Sequence, residues 1–245
     1  MAEVEATPRP ESPGLLLYCV AEASAPLPGD GRGVHGGELR RLAHGELVAV
    51  VSSIAEPARL AAPTTAELLD YEHVIRSHHA VADVVPMRFG SMLADEAAVR
   101  SHLDEQSAVY LRALKRVSGC VELGVRLLVS GTGSPATPEE LPKQEPRSGA
   151  SYLKALQRRY SAESRLRDHC AALEQALLSK VAPLCREHRL ELSAPRPGEP
   201  VLCSLYFLVP RGQVSLFHAA LSADAAGEST PTAVSGPWPP FNFVD

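Results

Sequence analysis

A chain of 245 residues with 45% hydrophobic and 22% charged residues can form two domains that each bury a core, and is neither fibrous nor disordered throughout. The formal charge of -5 leaves no basic excess for a row of phosphates, and no apolar run approaches the ~20 residues of a membrane-spanning helix, so nucleic acid and membrane are set aside as partners. The five cysteines, Cys19, Cys120, Cys170, Cys185 and Cys203, show no close pairing, which fits small buried apolar roles in a reducing compartment rather than a disulfide framework or a Cys-x-x-Cys metal site.

In chain order, "MAEVEATPRPESPG" lacks a basic region followed by an apolar core, so residues 1–13 are expected as a disordered tail and the protein as cytoplasmic. "GLLLYCVAE" (14–22) predicts a buried strand. "GRGVHG" (31–36) matches Gly-x-Gly-x-x-Gly, but Pro26 and Pro28 separate it from the strand and a hairpin pattern follows, so a surface loop is expected rather than a nucleotide site. "ELRRLAHGELVAVVSSI" predicts two strands turned at His44-Gly45. Thr64-x-x-Glu67 is a capping box for a helix with Leu68, Tyr71, Ile75 and Ala82 on its apolar face, ending near Asp83.

"VVPMRFGSML" (84–93) is apolar yet carries Arg88. As a strand it would set Val85, Met87 and Phe89 on one face and Arg88 on the other. Asp95 can cap one helix whose face, Val99, Leu103, Gln106, Tyr110, Leu114 and Val117, runs to Gly119. "CVELGVRLLVS" follows as a strand and is expected to close a first domain, 14–130, of ferredoxin-like outline. A Pro/Gly-rich linker (131–148) leads to a second α+β domain (149–245). That domain opens with a long helix bearing Cys170, Leu173, Leu177, Val181 and Leu184 on one face. Strands near 189–194 and at 201–210, a helix at "QVSLFHAALSADA" and an extended tail complete it. The fold class expected is α+β, two domains, each an antiparallel or mixed sheet with helices on one face.

The search for chemistry is sparse. None of the nine histidines stands four residues from another, and His78 and His79 diverge by about 100° on a helix, so no metal site is assigned. There is no Gly-x-Ser-x-Gly elbow and no local Cys–His signature, so no catalytic residue or cofactor is assigned either. Two places ask for more than packing. If the strands of 84–90 and 120–129 were neighbours, Arg88 and Glu122 could meet, with Arg126 beside them, as a register-fixing ion pair or as a recognition face. In "SGPWPPFNFVD", Trp238 stands among prolines, and Phe241 and Phe243 could share one side of an edge strand, either tying the tail down or anchoring another chain.

Four stretches, "VVPMRFGSMLADEAAV" (84–99), "VELGVRLLV" (121–129), "GASYLKALQRR" (149–159) and "SGPWPPFNFV" (235–244), resemble the gas vesicle proteins of the GvpL/GvpF type, in family order. The sequence departs from the family pattern in its Pro-rich 131–149, in Phe241 where tyrosine is common and in Leu123 where tryptophan is often seen. The resemblance implies two ferredoxin-like α+β domains, no cofactor, and a non-enzymatic accessory role in gas vesicle assembly, in the cytoplasm or at the vesicle. The implied partners are the small hydrophobic shell protein (GvpA-type) and other gas vesicle accessory proteins, as assembly factor, chaperone or minor component. Candidate contact residues are Arg88, Phe89, Glu122, Arg126, Trp238, Phe241 and Phe243. The competing class is a small-molecule enzyme with Arg88 as anion holder and His78 or His79 as acid or base.

Overall fold

In the computed structural model, strand β1 (Gly14–Glu22) is buried at its first eight positions, so both of its faces need cover. The structure describes residues 13–29, 31–129, 149–193, 201–222 and 233–244; the expected linker at 131–148, and the expected tail up to residue 12, lie outside them. The chain divides into two compact units, Met1–Val121 with Trp238–Asp245, and Glu122–Pro237.

In the first unit, β2 (Leu39–His44) and β3 (Leu47–Ile54) form the expected hairpin, turned through Gly45 at φ +58°. Strand β1 pairs antiparallel with β3, and on its other side with two short strands, β4 (Val85–Pro86) and β5 (Met92–Leu93). The order β2-β3-β1-β4 is that of a ferredoxin-like sheet, except that no helix joins β1 to β2. A loop with a single 3-10 turn, Val34–Gly36, stands in its place.

Helix α1 (Thr65–His79) begins at the expected capping box, Thr64 accepting from the Glu67 amide while the Glu67 carboxylate accepts from the Thr64 amide. It buries Tyr71, Val74 and Ile75 on one face of the sheet, but leaves Leu68, expected in the core, 43% exposed. The single helix expected over 96–117 is two, α2 (Glu96–Glu105) and α3 (Ser107–Val117), broken at Gln106. Its polar side chain and φ -100°, ψ 4° turn the axis so that Val99 and Leu103 from one piece, and Tyr110 and Leu114 from the other, reach the twisted sheet together. This pair covers the face of β1 opposite α1. The α+β class with antiparallel sheets is as expected; in this unit helices cover both faces, because β1 is apolar on both.

Strand β6 (Cys120–Val129) corrects the expected domain boundary. It pairs in a second sheet of order β7-β8-β6-β9, with β7 (Glu187–Leu192), β8 (Val201–Pro210) and β9 (Ala233–Trp238). With α4 (Gly149–Val181) between β6 and β7 and α5 (Val214–Ser222) between β8 and β9, the second unit has the β-α-β-β-α-β order of a ferredoxin-like domain. It therefore begins inside the strand and not after it. Cys170 of α4 meets Cys203 of β8 thiol to thiol, and burial pushes Cys203 up to about 12, so both act as apolar filler. Phe207 of β8 and Phe217 of α5, both fully buried, pack edge to face with centroids 5.1 Å apart.

Candidate functional site

The expected strand face of Val85, Met87 and Phe89 does not form. β4 ends at Pro86, Met87 N–H makes one further bond to the Tyr18 carbonyl at 2.8 Å, and Gly90 at φ +85° then turns the chain back toward β5. Val85 and Met87 consequently pack on the α2/α3 side of the sheet, while Phe89 packs on the α1 side. Arg88 stands between them, exposed, and its guanidinium has no hydrogen bond or ion pair among the described residues.

Tyr71 holds this turn. Its hydroxyl lies 2.8 Å from the Leu17 carbonyl, 2.9 Å from that of Arg88 and 3.1 Å from that of Met87, so one proton serves three acceptors from β1 and the turn. Burial, with Cys19 and Tyr18 nearby, pushes the phenol far above its ordinary value and keeps it a donor. The ring stacks on Tyr18 at 4.9 Å and meets Phe89 edge to face at 5.1 Å. The Arg88 carbonyl also accepts from the Ser91 amide at 3.2 Å and the Ser91 hydroxyl at 2.8 Å. The Arg88 backbone is fixed and its side chain is free.

A second network explains "GRGVHG". The Tyr18 hydroxyl bonds Ser52 Oγ at 2.8 Å and accepts from the Val34 amide at 2.9 Å. A Cβ at Gly33 would lie 2.1 Å from that hydroxyl, so this glycine is there for close approach to a tyrosine and not to a phosphate. His35 reaches from this loop to Glu67 at the start of α1; the Thr64 amide first, then His35, hold the Glu67 carboxyl down at about 2.

The remaining candidates disperse. Arg88 follows a strand of the first sheet and Glu122 belongs to the second, so the strand pairing on which the expected Arg88–Glu122 ion pair rested is absent. Glu122 is 4% exposed and engaged with other groups. Arg126, four residues further along the same face of β6, is exposed. Both act electrostatically on Tyr206 of β8, whose phenol is raised first by burial and then by Glu191. Trp238 is half-buried at the end of β9, followed by the buried Pro239 and Pro240. Phe241–Phe243 is a 3-10 turn rather than an edge strand, because Phe241 packs on the α1-side cluster and Phe243 is fully buried. Phe243 is therefore a core residue, which removes it from any surface contact.

The histidines of the enzyme reading are turned inward. The His78 ring donates through Nδ1 to the Val74 carbonyl at 2.8 Å, and the His79 ring bonds the Cys120 carbonyl at 3.2 Å. A depression of about 420 Å³ lined by Pro13, Gly14, Pro57 and Met92–Asp95 contains neither Arg88 nor a histidine. Among the described residues no group of three or more His, Cys, Asp or Glu side chains is placed to hold a metal ion, and no helix is long and apolar enough to cross a membrane.

Desolvation lowers the pKa of His78, outweighing its bond to Val74, with Arg41 adding to the lowering. The unfolded chain then binds this proton more readily than the folded one. The contribution is complete above the unfolded value of about 6.5 and is lost as pH falls through it toward the lowered folded value. Urea unfolding at about pH 7 and about pH 5 is expected to show a larger loss of stability in the wild type than in His78→Gln; equal losses would mean that His78 is not buried neutral.

The family model described as "Gas vesicle synthesis protein GvpL/GvpF" matches residues 14–245. Gas vesicle protein L of Streptomyces sp. (strain CB03234) is 32% identical over 238 residues, covering 89% of this chain and 87% of that protein. Gas vesicle protein F of the same strain is 29% identical over 220 residues, covering 84% and 88%. The crystal structure of the gas vesicle protein GvpF from Anabaena sp. PCC7120 superposes with a TM-score of 0.72 over 96% of this chain and 97% of that one, at 17% identity, which establishes the shared fold.

Proposed function

The chain belongs to the GvpL/GvpF family of gas vesicle synthesis proteins, and we propose that it works there as a non-enzymatic accessory factor, in the cytoplasm or at the vesicle, that binds the small hydrophobic shell protein. The observation that carries this reading is the turn at Arg88. The fold spends Tyr71, Phe89 and Ser91 on holding an exposed cation beside a half-exposed aromatic, and among the described residues the hydroxyls around it, those of Tyr71 and Ser91, are spent on backbone carbonyls. Leu68 lies three residues before Tyr71 on the same side of α1 and adds exposed apolar surface to the same helix. A subunit that polymerises through apolar surfaces needs an amphipathic contact to hold it before assembly, and such a surface supplies one.

The test is a pull-down with gas vesicle shell protein carried on a soluble fusion. Wild type is expected to retain the shell protein, and Leu68→Ser to retain it several-fold less. Leu216→Ser, which changes a still more exposed leucine in the second unit, is expected to bind as wild type does. Failure of the wild type to retain the shell protein would sink the reading. Equal binding by all three would move the contact away from α1. Washing of purified vesicles then separates a resident component, which stays bound, from a transient chaperone.

A further inference from the structure

We infer that the Arg88 turn reads a carboxylate on the apolar partner, so that the protein selects a segment in which an acidic side chain stands among apolar ones. This inference rests on the docking reading above. Its first support is the contrast with other arginines of the same unit. Arg40, Arg59, Arg76 and Arg100 each lie beside a glutamate of the chain, and Arg32 and Arg41 reach backbone carbonyls; Arg88, like Arg112 on α3, is exposed with no such partner among the described residues, and of these two only Arg88 is carried on a turn fixed by side-chain hydrogen bonds. Its second support is the way it is presented. With the carbonyl held by Tyr71 and Ser91 and the chain reversed at Gly90, only the side chain of Arg88 needs ordering on binding.

The chemistry of the group then narrows the partner. A guanidinium offers a planar fork of five N–H donors and no acceptor, and its best complement on a protein is a bidentate carboxylate. A lone exposed ion pair in water is worth little, so this cation could not hold a small free anion; it becomes selective only when a docked surface excludes water around it. Phe89, half-buried beside it and packed on Tyr71, is the apolar neighbour against which such a surface would close.

The experiment compares wild type, Arg88→Lys, Arg88→Gln and Arg88→Glu for affinity to the same shell protein on its soluble carrier. It repeats the measurement with the carrier-borne shell protein after its carboxylates have been amidated. With the unmodified partner, Arg88→Gln is expected to weaken binding about tenfold or more, Arg88→Lys less and Arg88→Glu most. With the amidated partner, wild type and Arg88→Gln are expected to bind equally. Thermal midpoints within a degree or two of wild type, expected for an exposed side chain, show that the variants are folded. Undiminished binding by Arg88→Gln, or a wild-type advantage that survives amidation, would overturn the inference while leaving shell-protein binding in place. A wild type that binds neither form of the shell protein would overturn the docking reading and this inference with it.

Discussion

Phe243→Ala is expected to destabilise the first unit by about 3–5 kcal/mol, the range for truncating a fully buried phenylalanine. The residue has no exposed surface. It sits in the one-turn helix Phe241–Phe243, which neighbours α3, between two residues that pack in opposite directions. Phe241 joins the cluster under α1, and Val244 joins the cluster under α2 and α3. The C-terminal segment therefore fastens both layers of the unit, and emptying the Phe243 site leaves a cavity that neither layer can close without disturbing the other. Trp238→Ala, at a half-exposed position, is expected to cost about 1 kcal/mol. Urea unfolding of the two variants and wild type checks both values. A Phe243→Ala variant within about 0.5 kcal/mol of wild type would mean that the tail is not packed as described, and would restore the idea of Phe241 and Phe243 as an aromatic anchor for another chain.

What could be read from the sequence follows the range of the interaction that decides it. The capping box at Thr64 and Glu67, the glycine turn at Gly45 and the apolar run of β1 are set by neighbours a few residues away, and each forms where its pattern put it. The sheet to which β6 belongs is set by pairing across more than a hundred residues, since its neighbour β9 begins at Ala233. The alternation in "CVELGVRLLV" is the same in either sheet, so nothing local could assign it, and the supposed Arg88–Glu122 pair fell with that assignment. The face of Phe89 was hidden for a different reason. Period-two reading holds only while a strand continues, and β4 ends at Pro86, two residues before Arg88.

The site itself was half legible. A cation in an apolar segment marks Arg88 from composition alone, but Tyr71 reads as one more residue on an apolar helix face. That its hydroxyl faces the carbonyls of Leu17, Met87 and Arg88 depends on β1, α1 and the turn meeting at one point. The nearest available signal is chemical: a tyrosine buried at such a meeting point must spend its hydroxyl on something.

Tyr71→Phe makes that dependence measurable, and is expected to cost about 1–3 kcal/mol while leaving the aromatic packing on Tyr18 and Phe89 in place. The loss arises because deleting the hydroxyl removes the shared donor from three carbonyls at once. The Leu17 carbonyl is deep in the sheet, and Tyr71 is what ties the middle of the turn to α1; the ends of the turn are tied to β1 by the backbone, Met87 N–H donating to the Tyr18 carbonyl at 2.8 Å and Leu17 N–H to the Ser91 carbonyl at 2.9 Å. Amide exchange is expected to accelerate at Arg88–Ser91 more than in β2 or β3, since the turn loses its tie to α1 whereas the hairpin keeps its ladder. Affinity for the shell protein is expected to fall as well, although Arg88 is untouched, because its fork would then have to be ordered from a mobile backbone. Exchange that quickens evenly through the unit would mark the hydroxyl as a general stability element. Exchange confined to the turn, together with weakened binding, would identify Tyr71 as the residue that positions Arg88.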